Sequence, residues 1–158
     1  MPTKEMELTR KADWTLKGVK TFRGEECEGY NADLYLRGKK VAQADEAAQG
    51  GPLQWYWMDR QAEALFDSFA KSLPNLESQY FPDGLEMDMD LLLGEMVSDF
   101  LQERDWKRIC RKKTAILLKS HGDGEYATYK QPYSPAFAKK VREWNGNDLV
   151  EIINERYL

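Results

Sequence analysis

Six cations fall within ten residues: Arg104, Lys107, Arg108, Arg111, Lys112 and Lys113. Just upstream, residues 86–105 hold seven acids (Glu86, Asp88, Asp90, Glu95, Asp99, Glu103 and Asp105) and one base, Arg104. Residues 106–120 hold six bases and no acid. On a helix, Arg104, Arg108, Arg111 and Lys112 share one face, because they are spaced i, i+4, i+7 and i+8. Trp106, Ile109 and Cys110 then turn toward a core. A cationic face of this kind has three readings. It is a solvated face paired with the acids upstream, a contact for an acidic protein partner, or a contact for nucleic-acid phosphates.

The nucleic-acid reading rests on order as well as charge. A basic helix over 105–112 followed by a hairpin over about 113–131 is the order of parts in winged-helix DNA readers. The remaining reactive residues support little chemistry. His121 is the single histidine and lies in a turn, "SHGDG", so a Ser–His or Cys–His nucleophile has no other base to use. Cys27 and Cys110 are the two cysteines, far apart and matched to no zinc spacing. They read as reduced thiols. Glu86 and Asp90 share a face at a helix start, where the dipole favours acids, and no calcium-loop spacing accompanies them. No Walker loop and no GxGxxG is present. No catalytic residue, metal or cofactor is expected.

The elements that must position the cations can be read from periodicity. Residues 1–12 carry charge without period and read as a loose arm. Residues 14–22 read as a strand with a bulge at Gly18. Residues 23–29 form a loop. "YNADLYL" places Tyr30, Ala32, Leu34 and Leu36 on one face and Asn31, Asp33 and Tyr35 on the other, a period of two. "RGKK" supplies a tight turn at Gly38, and "VAQA" returns as the partner strand.

"AAQGGPLQWYW" poses a choice between a phosphate-cradling loop and a turn feeding a strand. A phosphate loop needs a helix N-terminus directly after the glycines. Here an alternating run follows, with Leu53, Trp55 and Trp57 against Gln54, Tyr56 and Met58, so it reads as a late strand of a meander. Trp55 and Trp57 share a face that packs on the helices beyond.

Asp59 caps a helix whose stripe is Ala62, Leu65, Phe66, Phe69, Ala70 and Leu73, and Pro74 stops it. After a connection turning at Asp83-Gly84, a longer helix runs from about Glu86, with Met89, Leu92, Leu93, Met96, Val97, Phe100 and Leu101 inward. A separate short helix, "DWKRICRK", and the hairpin across "HGDG" follow. Ser134 and Pro135 open the next helix, with Phe137, Val141 and Trp144 buried, and Asn145-Gly146 ends it. "NDLVEIINERYL" reads as a last helix with Leu149, Ile152 and Ile153 inward. The fold class is α+β: an N-terminal antiparallel β-meander packed by helices, a second hairpin and two C-terminal helices. All 158 residues fit one domain, 1–58 mainly β and 59–158 mainly helical.

Composition sets the remaining bounds. The chain is 42% hydrophobic and 12% aromatic, enough for a core without disulfides or metal. Its formal net charge of -4 does not suit a general nucleic-acid coat. The longest apolar runs are far below the about 20 residues of a spanning helix, and the start lacks a signal-peptide core.

The stretch "TLKGVKTFRGEECEGYNADLYLRGKKVAQADEAAQGGPLQWYW", with "RICRKKTAILLKS", "PYSPAF" and "IINERY", resembles a family of small uncharacterised phage and prophage proteins. The resemblance covers roughly two-thirds of the chain. It implies a setting, expression in the cytoplasm of a bacterial host, and carries no site residue. The expected function is that of a non-catalytic interaction protein. It would bind and modulate a host or phage macromolecule, such as a defence or replication component. An unknown protein is the expected partner, through Arg104, Lys107, Arg108, Arg111, Lys112 and Lys113. Nucleic acid is the alternative partner, an enzyme of unfamiliar type the second alternative, and no membrane is expected.

Overall fold

The structure, a computed structural model, describes residues 9–23, 28–47 and 52–158. It is α+β. The chain divides into two compact units, Met1–Phe100 and Leu101–Leu158.

In the first unit, β1 (Trp14–Arg23), β2 (Glu28–Leu36), β3 (Lys39–Glu46) and β4 (Gln54–Trp57) form an antiparallel meander in the order β1-β2-β3-β4. The period-two run lies in β2 as read, with Ala32 and Leu34 fully buried. Leu36 pairs with Lys39 across a two-residue turn. Arg37 and Gly38 both take positive φ there, 50° and 85°, as the primed turns that match strand twist require. The register of β1 slips between Lys17 and Lys20, with Gly18 at φ 59°, which is the expected bulge. A second slip lies in β3. Ala42 pairs with Leu34 and Lys40 with Tyr35, so Val41 is the extra residue. The bulge lets the neighbours Val41 and Ala42 both point inward.

α1 (Arg60–Ser72) covers this sheet. Asp59 accepts from the backbone N–H groups of Gln61 and Ala62 and so caps it. Phe66 is fully buried, with the rings of Trp14, Trp55 and Trp57 at 4.7, 5.8 and 6.2 Å. Trp55 and Trp57 stack at 5.0 Å, as residues two apart on one strand face should. Trp55 Nε1 donates to Asp90 at 2.7 Å. The aromatics after the glycines are therefore strand residues: Trp55 and Trp57 are half-buried against Phe66, and Tyr56 is exposed on the opposite face. The glycines themselves lie outside the described residues. So do residues 1–8 of the arm and 24–27 of the loop, Cys27 included.

Residues 9–12 correct the loose-arm reading. Thr9 is buried and its hydroxyl accepts from Trp14 Nε1 at 2.7 Å, and Lys11–Asp13 make a 3-10 turn. The indole N–H needs a partner once buried, and Thr9 is that partner.

α2 (Met89–Cys110) merges two helices read as separate. "LQERD" contains no Gly, Pro or cap that wins over continued backbone hydrogen bonding. The helix begins after Asp88, whose carboxylate accepts from Leu91 N at 2.8 Å, so Glu86 precedes it.

In the second unit, β5 (Thr114–Leu118) lies between β6 (Ala127–Tyr129) and β7 (Leu149–Ile152), antiparallel to both. The β5–β6 hairpin is as expected. The last helix is not: Leu149–Ile152 is a strand and Ile153–Tyr157 a 3-10 turn. Leu149, Ile152 and Ile153 fit a helical period, but β5 has a second edge to satisfy, and pairing with it overrides the local pattern. α3 (Pro135–Asn145) starts at its Ser134 cap and ends at Gly146, φ 53°. Phe137, Ala138 and Val141 pack with Ile116 and Ile152. Trp144 is 60% exposed, contrary to expectation, and touches Phe137 and Tyr129 at the margin of that cluster. Among the described residues, no helix is long and apolar enough to cross a membrane.

Candidate interaction surface

All six cations are exposed. Arg104, Lys107 and Arg108 stand on the last turns of α2. Arg111, Lys112 and Lys113 follow its end, in a turn closed by Lys112 N and Lys113 N on the carbonyl of Ile109, at 3.2 and 3.0 Å. The expected single helical face, Arg104 to Lys112, is thus split between helix and turn. Its inner side is as read: Trp106 is buried, and Ile109 and Cys110 pack beneath it.

A buried asparagine holds this turn. Asn154 Oδ1 accepts from Ala115 N at 2.9 Å, while its Nδ2 donates to the carbonyls of Cys110 at 3.2 Å and Lys113 at 2.8 Å. One side chain therefore joins the end of α2, the cationic turn and the start of β5. It satisfies the Cys110 carbonyl that the helix end leaves open, the Lys113 carbonyl of the turn beyond it, and one buried N–H. No periodicity marks Asn154. It reads as a polar residue between Ile153 and Glu155, and only the sheet pairing turns it inward.

Charge around the turn is mostly unneutralised. Among the described residues, Arg108 alone of the six cations is paired with a carboxylate, Asp105, at 3.2 Å and on the surface. Lys107 Nζ lies 5.8 Å from the centre of the Tyr157 ring. The charge is also uneven along the chain. Met1–Phe100 has 11 Lys and Arg against 19 Asp and Glu, a formal -8; Leu101–Leu158 has 12 against 8, a formal +4.

A groove of about 550 Å³ runs beside the cations, lined by Lys107, Cys110, Arg111, Tyr133, Asn154 and Tyr157. Its two tyrosines are anchored by carboxylates. Tyr157 OH donates to Glu103 at 2.9 Å and Tyr133 OH to Glu155 at 2.8 Å. Glu155 also pairs with Arg142. The bond from Arg142, and then that from Tyr133, hold the Glu155 carboxyl below its usual range. The bond to Glu155 raises Tyr133; burial and then Glu103 raise Tyr157, and burial pushes the Cys110 thiol up. At neutral pH the groove therefore presents two neutral phenols, a neutral thiol and cations. Tyr133 and Tyr157 were not among the expected site residues. They sit in "PYSP" and "NERYL", and nothing in their spacing joins them to residue 107 or 111.

His121 lies in the turn after β5, and among the described residues its buried Nδ1 has no hydrogen-bond partner. Asp148 is tied down instead by Ser120, through N at 2.8 Å and Oγ at 2.6 Å. Among the described residues, no three His, Cys, Asp or Glu side chains converge as metal ligands. No protein-family model matches this chain, and no curated protein and no solved structure matches it.

Proposed function

We propose that this chain is a non-catalytic interaction protein that binds an acidic protein partner. The contact is the cationic end of α2 and the groove beside it. The observation carrying this reading is a set of six exposed cations of which, among the described residues, one is ion-paired, with the turn that carries three of them held by the buried Asn154. Unpaired surface cations over a fixed backbone raise association rates and select partners of opposite charge. The adjoining tyrosines provide rigid, amphipathic contact area.

A protein suits the surface better than a continuous polyanion does. Glu103, Asp105 and Glu155 stand among the cations, so a partner with separated charges meets less repulsion than a phosphate chain. The resemblance of the text to phage and prophage proteins makes a host or phage macromolecule the partner class. One observation favours a second reading. The hairpin β5–β6 follows the cations directly and carries exposed Lys130, which is the order a nucleic-acid contact would use.

Capture of partners from bacterial lysate with the tagged full chain, beside the variant Arg104→Glu/Arg108→Glu/Arg111→Glu, separates these readings. The expected result is one stoichiometric protein that the variant loses. Nucleic acid eluting with the wild type and removed by salt would support the second reading. Equal recovery of the protein by both forms would refute the cationic contact.

A further inference from the structure

A second groove, of about 240 Å³, lies within the first unit, between α1, the segment 73–87 and the start of α2. Its walls are apolar. Trp14, Phe69, Met87 and Leu92 are buried at its base, and Met96 is half-buried at its side. Two carboxylates, Glu95 and Asp99, stand on its rim one helical turn apart. Both are exposed and neither has a hydrogen bond or ion pair among the described residues. Among the described residues Lys11 is the one cation in the lining, and residues 72–103 contain no Lys or Arg at all.

An apolar cleft open to water favours a ligand that brings apolar surface to it. The unpaired acids at its mouth favour a positive group there and disfavour a negative one. We propose that this groove binds a small amphiphile: a short apolar chain or ring that fills the cleft and ends in an ammonium or guanidinium beside Glu95 and Asp99. This site is independent of the cationic surface on α2, and neither proposal depends on the other.

The test uses the full chain with ¹³C-methyl methionine, which places reporters at Met87 and Met96. Three probes of equal chain length are titrated: n-octylammonium, n-octanol and n-octanoate. Saturable shifts of the Met87 and Met96 methyls are expected, with the ammonium binding about tenfold more tightly than the alcohol and the carboxylate weakest. The exposed double variant Glu95→Gln/Asp99→Asn should bring the ammonium down to the affinity of the alcohol and leave the alcohol unchanged. The proposal is overturned if no probe saturates, if octanoate binds as well as octylammonium, or if the double variant keeps the full preference.

Discussion

Replacing Asn154 with Ala should destabilise the second unit by about 3 kcal/mol, although the change removes only a few atoms. The backbone N–H of Ala115 is fully buried and bonded to Asn154 Oδ1. Leaving such a donor without a partner costs about 1–3 kcal/mol. The carbonyls of Cys110 and Lys113 also lose their bonds. Lys113 is exposed, so its carbonyl can turn to water, and this pair adds about 1 kcal/mol. Urea denaturation followed by tryptophan fluorescence, together with amide exchange at Ala115, measures the effect. Trp106, packed with Ala115 and Ile153, reports directly on this cluster.

Asn154→Asp is the informative control. It keeps an acceptor for Ala115 N–H but turns a carboxylate oxygen toward two carbonyls. Burial and those carbonyls would raise its folded pKa above the unfolded value, so the protonated form is the one the fold favours. The defect should therefore shrink as pH falls through the folded pKa and grow as pH rises. A loss below about 0.5 kcal/mol for Asn154→Ala would refute the role assigned to this side chain, because it would show the three bonds to be replaceable. Where the loss is found, the cationic turn should also bind its partner more weakly, since residues 110–113 lose their anchor.

Two other consequences concern the first unit. Phe66→Ala should cost about 3–5 kcal/mol, since the ring is fully buried among three tryptophans and its loss leaves a cavity; denaturation midpoints test this, and a loss under 1 kcal/mol would contradict the packing. Burial first, then Glu46 and Asp90, push the Tyr30 hydroxyl up to about 12. The raised folded pKa means that its stabilising contribution is complete below the ordinary tyrosine range and is lost as pH rises toward 12. Absorbance titration of wild type against Tyr30→Phe should show one phenol ionising late and a shallower alkaline destabilisation in the variant, and coincident titrations would refute the assignment.

Local physics was enough for much of the fold. Period-two alternation at Tyr30–Leu36, the Arg37-Gly38 turn, the caps Asp59 and Ser134, and the stops at Pro74 and Gly146 each depend on neighbours within a few residues. Each can therefore be read from the chain. The same holds for the cations, because their number and crowding are properties of the text. Their arrangement is not such a property. Helix continuation through Gln102–Asp105 ends at Cys110, which moves Arg111, Lys112 and Lys113 off the helical face that their spacing suggests.

The C-terminal segment shows most clearly what only the tertiary structure decided. Leu149, Ile152 and Ile153 satisfy a helical stripe as well as a strand, and the choice falls to the unfilled edge of β5, a partner some thirty residues away. That pairing buries Asn154 and brings Tyr157 beside Lys107. It also leaves Trp144, an inward residue by helical spacing, on the surface because its helix has only a narrow sheet to cover. Composition and period determined which residues are apolar, charged or turn-forming. Which of them meet depended on competition among non-local backbone pairings, whose energies no short stretch of sequence contains.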